Sequence, residues 1–187
     1  LSQGIFPAPT YARQGDFLFL TTVYPVDVEG RLVESAAVSP FVGEAAIAGQ
    51  TRAALERVRS VLQSAGSDLD RVVKAEVYLM DPADFYEFKL VWKEYFPSDP
   101  PARCTAVIGD DHLLPGCRLS VSAVALAGDA SVPKEMIQVD GIPDGMEAEW
   151  APHAVKAAPF VFPSPFPATD FETGIAVKTN PVAPYYG

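Results

Sequence analysis

"GEAAIAGQTRAALERVRSVLQSAG" occupies residues 43–66, and "DRVVKAEVYLM" follows at 70–80 after a short polar turn. In the first stretch Ile47, Thr51, Ala54, Leu55, Val58, Val61, Leu62 and Ala65 recur on one face of a 3.6-residue period. Arg52, Glu56, Arg57, Arg59 and Gln63 take the other face, so the spacing predicts an amphipathic helix. Glu44 falls in its first turn, where a carboxylate favours the helix dipole, and Gly66 suits the position just past its end. The second stretch is β-branched and aromatic between Asp70 and Asp81-Pro82, which predicts a central strand.

Working outward, "GDFLFLTT" (15–22) reads as a buried strand after a Gly-Asp turn signal, and "DVEGRLVE" (27–34) as a turn into a second short strand. Downstream, "DPADFYEFKLVWKEYF" (81–96) predicts a second amphipathic helix with Pro82 at a tolerated early position. Its stripe of Phe85, Phe88, Val91, Trp92 and Tyr95 reads as core, and Pro97 ends it. "PARCTAVIG" (101–109) and "GCRLSVSAVALAG" (116–128) are two further strands around the loop "DDHLLP". Residues 1–128 therefore predict an α+β layer of order ββαβαββ, one sheet with two helices on one face.

Bulk properties narrow the function. With 49% hydrophobic and 20% charged residues in 187, a sizeable core can be buried. The formal charge of −10 argues against nucleic acid and against an anionic membrane surface, since both need Lys/Arg. No apolar run approaches a membrane span, and the opening "LSQGIFPAPTYARQGD" lacks the pattern of a secretory signal. The first residue is not Met, so processing or a chosen boundary is expected there. Cys104 and Cys117 are too few for a disulfide framework, and no Cys/His spacing fits zinc. A cytoplasmic setting is expected, with a small molecule as partner and neither metal nor cofactor.

The chain then repeats itself. "DASVPKEM" (129–136) reads as a linker. Beyond it, "FVFPSPFPATD" (160–170) echoes "FLFLTTVYPVD" (17–27) at a shift of 143, with Phe17/Phe160, Phe19/Phe162 and Asp27/Asp170 identical. "SPFVG" (39–43) and "APYYG" (183–187) match in kind, so residues 137–187 are expected to be the N-terminal part of a second copy. A hairpin carrying Phe rings without its helices cannot bury them, so a companion chain or missing segment is expected to complete it. Gly187 aligns with Gly43 and is read as a processing position, because glycine before Ser, Thr or Cys tolerates the strain of an acyl shift. The freed residue of the companion chain would then supply the nucleophile.

The run "GQTRAALERVRSVLQSAGSDLDRVVKAEVYLMDPADFYEFKLVWKEYF", with the later "PPARCTAV" and "GCRLSVSAVAL", resembles the YjgF/Rid family of imine and enamine deaminases. "APHAVKAAPFVFPSPF" (151–166) is similar to the opening of another such domain. The resemblance implies a Rid/chorismate-mutase-like fold, and trimers with pockets between subunits. A ring of Rid folds or a higher oligomer, with tandem copies in place of separate subunits, is the corresponding expectation.

It also implies roles by position. Arg103, in the "PAR" motif, would hold a substrate carboxylate through its guanidinium; a surface ion pair is the other reading. The family hydroxyl at the end of the first strand corresponds to Thr21 and, in the second copy, to Ser164; these orient water or a carboxylate, or bond neighbouring backbone. Cys104 and Thr105 follow the Arg at positions near the substrate, with Cys104 expected to be a structural thiol rather than a nucleophile. His153 lies where the family places the pocket rim, whereas His112 reads as a solvated loop residue. Deaminating members carry a Glu on the last strand to activate water; this sequence has Ser122 there, a poor base alone. The expected activity is a C–N hydrolase on a small imine, enamine, amine or amide, with a non-catalytic carboxylate-binding relative as the alternative.

Overall fold

The computed structural model describes residues 10–33, 45–109, 115–140, 151–165, 169–170 and 174–175. Its first elements are β1 (Tyr11–Gln14) and β2 (Phe17–Leu20), an antiparallel hairpin turned by Gly15 at φ 58°. Then come α1 (Ala46–Ser64), β3 (Val72–Leu79), α2 (Phe85–Tyr95), β4 (Ala102–Val107) and β5 (Leu119–Leu126). The element order is the expected ββαβαββ. The strands form one sheet in the order β1-β2-β5-β3-β4, with β3–β4 the parallel pair. Mixed sheet and two helices together make an α+β fold.

Two local expectations are corrected. The hairpin partner of the "FLFL" strand is β1, upstream of it, while the described part of 27–34, residues 27–33, contributes Leu32 to an isolated bridge with Val26. All four β1 residues are exposed, so no apolar alternation marks the strand. The helix at 81–96 begins at Phe85, after a 3-10 turn over Pro82–Asp84 capped by Asp81, whose carboxylate accepts from the Ala83 amide at 2.8 Å. Glu44 and His112 lie outside the described residues.

The end of α1 follows its sequence closely. Gly66 adopts φ 74°; its amide bonds Gln63 O at 3.0 Å, and Ser67 N bonds Leu62 O at 2.8 Å. That pair of bonds is a Schellman closure, which needs the left-handed residue that glycine supplies without strain. The helix buries Ile47, Thr51, Ala54, Leu55, Val58, Val61 and Leu62. Together with Phe88 and Trp92 of α2 they cover Leu18, Leu20, Val77, Leu119 and Val121 on one face of the sheet. Each such large side chain contributes about 1.5–3 kcal/mol by leaving water.

The other face of the sheet carries a second, three-stranded sheet of order β6-β7-β8: β6 (Glu135–Ile137), β7 (Ala154–Ala157) and β8 (Phe160–Pro163). β6 occupies the end of the stretch read as linker. Val155 and Ala157 bury against Phe17, Val73, Ala102 and Leu126, with Phe162 partly buried beside them. The Phe160 and Phe162 rings lie 5.2 and 6.2 Å from that of Phe17, so the two repeated triplets face one another. Their rings thus find part of their cover within this chain. Two short strands, β9 (Thr169–Asp170) and β10 (Gly174–Ile175), form one antiparallel pair after it, and Gly187 lies outside the described residues.

Candidate active site

Arg103 and Thr105 lie on β4 in register with Ala75 and Val77, which belong to the helix-side core. The Arg103 side chain points under α2: its guanidinium carbon sits 5.2 Å from the Trp92 ring, 5.3 Å from Phe88 and 6.0 Å from Phe85. The residue is 3% exposed, so its guanidinium lies away from the surface. A weakly hydrated guanidinium tolerates such aromatic surroundings through cation–π attraction. Two residues on, Thr105 Oγ1 is buried without a hydrogen-bond partner among the described residues. A buried hydroxyl left so carries a desolvation cost that a ligand acceptor would relieve.

Arg103 also meets the second sheet. Its backbone amide donates to Ser164 Oγ at 3.2 Å, while that hydroxyl donates to Pro152 O at 2.6 Å. Ser164 therefore fixes the end of the β7–β8 hairpin against the motif strand. Thr21, its counterpart in the first hairpin, accepts from Thr10 N at 3.0 Å and donates to Thr10 O at 3.1 Å. Thr21 thus takes the backbone-bonding role. His153 is buried, and its Nδ1 accepts from the Val139 amide at 2.8 Å, tying the residues after β6 to the start of β7. The structure brings Arg103, Thr105 and Ser164 together at one strand and holds Thr21 at the end of β2, in the other hairpin.

Cys104 and Ser122 lie on the opposite, open face. There a cleft of about 220 Å³ runs across β2, β5 and β3, lined by Phe19, Lys74, Glu76, Ser122 and Val124. Ser122 Oγ shares a hydrogen bond of 3.1 Å with Thr22 Oγ1 and stands in register with Glu76 on β3. Glu76 is in turn in register with Cys104 on β4. Tyr78 donates its hydroxyl to Glu76 Oε2 at 3.2 Å, and the nearby carboxylate, with some burial, raises the phenol above its ordinary range. Lys74 Nζ reaches Pro163 O at 2.8 Å, so the end of β8 forms one rim of the cleft. Cys104 is half-buried and free; the other thiol, Cys117, is buried and pushed up to about 11.

Sequence reasoning missed Glu76. It sits in the most legible strand of the chain, but its nearness to Ser122 is a matter of strand register, which a single sequence does not display. A charged residue inside a strand paired on both sides was the available signal. Among the described residues no three His, Cys, Asp or Glu side chains gather as a metal site, and no helix is long and apolar enough to cross a membrane.

A protein-family profile described as Endoribonuclease L-PSP matches residues 12–127. A RutC family protein of Pyrococcus horikoshii is 36% identical over 100 residues, covering 53% of this chain and 71% of the relative. The 3-aminoacrylate deaminase RutC of Acinetobacter baylyi is 30% identical over 113 residues, covering 60% and 81%. A solved yeast structure superposes with a TM-score of 0.54 at 28% identity, covering 63% of this chain and 84% of that one. The matched segment is the sheet and two helices that carry Arg103, Ser122 and Glu76. This chain belongs to the Endoribonuclease L-PSP family, the YjgF/Rid group that its sequence resembles.

Proposed function

We propose that this protein is a hydrolytic deaminase of a small imine or enamine bearing a carboxylate. The observation that carries the reading is Thr105 Oγ1, buried without a partner two residues from Arg103 on the same side of the motif strand. A guanidinium and a hydroxyl so spaced suit a carboxylate. The deaminase named among the relatives supports the reaction class. The family description also names an endoribonuclease, but a chain of net charge −10 is poorly suited to a polyphosphate substrate.

The test is ammonia release from an imine formed in situ from a neutral amino acid. The expected result is release well above the buffer rate, lost in Arg103→Ala and partly kept in Arg103→Lys. A second reading, a non-catalytic carboxylate-binding relative, is favoured by Ser122 at the position where deaminating members carry Glu. Tight carboxylate binding with no ammonia above buffer would select it.

A tandem organisation belongs to the same proposal. β7 and β8 start 143 residues after β1 and β2 and have the same lengths. The bond from Ser164 N to His153 O repeats that from Thr21 N to Thr10 O, at 2.9 Å in both. The pair Thr169–Ile175 repeats the bridge Val26–Leu32. Under this reading the seam at Arg103 is the equivalent of a pocket between subunits, in a ring where tandem copies stand for separate chains.

A further inference from the structure

The open-face cleft of about 220 Å³ across β2, β5 and β3 takes no part in the proposed deamination, because the sheet stands between it and Arg103. Strand register sorts its side chains into two adjoining rows. Ser122 and Glu76 face each other in one; Phe19, Val124 and Lys74 line up in the next. The first row is rich in acceptors. Tyr78 donates to Glu76 Oε2 and fixes the carboxylate, while Ser122 and Thr22 share one hydrogen bond of 3.1 Å between two hydroxyls. A hydroxyl oxygen has two lone pairs, so this pair keeps acceptor capacity beside the carboxylate. The second row carries a cation. Lys74 Nζ gives one donor to Pro163 O at 2.8 Å, and an ammonium has three. Phe19, 42% exposed, and Val124 add an apolar wall to the same row. Lys74 and Glu76 lie two residues apart on one strand, a span of about 6.6 Å, and their charged ends are anchored separately on Pro163 and Tyr78.

We propose that this cleft binds a small zwitterion, an α-amino acid with an aliphatic side chain, at a site separate from the Arg103 clamp. The ligand's ammonium lies in the first row, with the Glu76 carboxylate and the Ser122 and Thr22 hydroxyls as acceptors. Its carboxylate meets the remaining donors of Lys74, and its side chain rests on Phe19 and Val124. Opposite fixed charges two residues apart favour a guest whose ammonium and carboxylate share one carbon over an amine or an acid alone, because charge-assisted hydrogen bonds are the strong ones. The cleft is smaller than the ~300–1,000 Å³ usual for drug-sized ligands, which limits the guest to a small molecule. A net charge of −10 does not oppose a guest that is neutral overall. The site stands apart from the deaminase reading, since nothing on the helix side of β4 takes part in it.

The experiment titrates the full chain by calorimetry with L-valine and with its two half-molecules, isobutylamine and 3-methylbutanoate. Valine should bind saturably at one site per chain, and each half-molecule at least about tenfold more weakly. Glu76→Gln and Lys74→Met each remove a charged partner and should each weaken valine by at least about tenfold. Arg103→Ala, on the other side of the sheet, should bind valine within about threefold of wild type. If Lys74→Met melts early, Lys74→Gln replaces it, keeping a donor for the Pro163 carbonyl without the charge. Absence of saturable valine binding, a loss below about tenfold in either variant, or a half-molecule within about tenfold of valine overturns the proposal. Binding lost in Arg103→Ala and kept in the other two overturns it as well, and places the ligand under α2.

Discussion

The two hairpins have strands of equal length joined by two residues, Gly15-Asp16 in one and Ala158-Pro159 in the other, yet they live in different surroundings. In the first, Leu18 is 0% exposed because α1 and α2 cover that face of β2. Its counterpart in the second, Val161, is 56% exposed. The ring faces differ too: Phe17 is 5% exposed and Phe160 49%. β1 is exposed throughout, whereas β7 buries Val155 and Ala157 against the first sheet. Hairpin geometry is therefore local, set by strand length and turn. Burial is decided by which layer is laid on which face.

The comparison breaks most readily at Leu18 and Val161. Leu18→Ala leaves a void under the helices and is expected to cost about 2–5 kcal/mol, while Val161→Ala stays within about 0.5 kcal/mol. Urea denaturation of the two variants measures both values. Equal costs would mean that the second hairpin has a covering layer of its own.

A smaller effect sharpens the same contrast at high pH. Cys117 is raised from 9.0 to about 11 by burial, against a weaker opposing backbone hydrogen bond at Leu119. Tyr95 is raised from 10.0 to about 12, by burial first and then by its bond to Glu56. The folded state favours the neutral forms, so their contribution is complete below the ordinary values. It is lost as pH rises through about 11 and about 12. Melting temperature should fall over that window. The fall should be shallower in Cys117→Ala and Tyr95→Phe, since both groups belong to the helix-covered half. An unchanged slope in both variants would remove these residues from the account.

What could be read beforehand follows from where periodicity is strong. The two helices and strands β3, β4 and β5 carry apolar residues at the spacing of their own geometry, so their order was legible. β1 and β6 were not: "YARQ" is exposed at every position, and "EMI" borrows its strand character from pairing with β7. Arg103 was legible as a motif, but its direction, beneath Trp92 rather than toward solvent, depends on which side of β4 faces α2. The row Thr22, Ser122, Glu76 and Cys104 unites residues up to 100 positions apart through register alone. The inner rings of the second hairpin were expected to need another polypeptide. Their partial cover by Phe17 was hidden because the repeat showed likeness and not contact.

The claim on which the seam, the cleft rim and the tandem reading all depend is that the second hairpin seats its phenylalanines on those of the first. A double-mutant cycle of Phe17→Leu and Phe160→Leu, read by equilibrium denaturation, tests it directly. Edge-on rings at 5.2 Å should show a coupling of about 0.5–1.5 kcal/mol. Strict additivity of the two substitutions would contradict it.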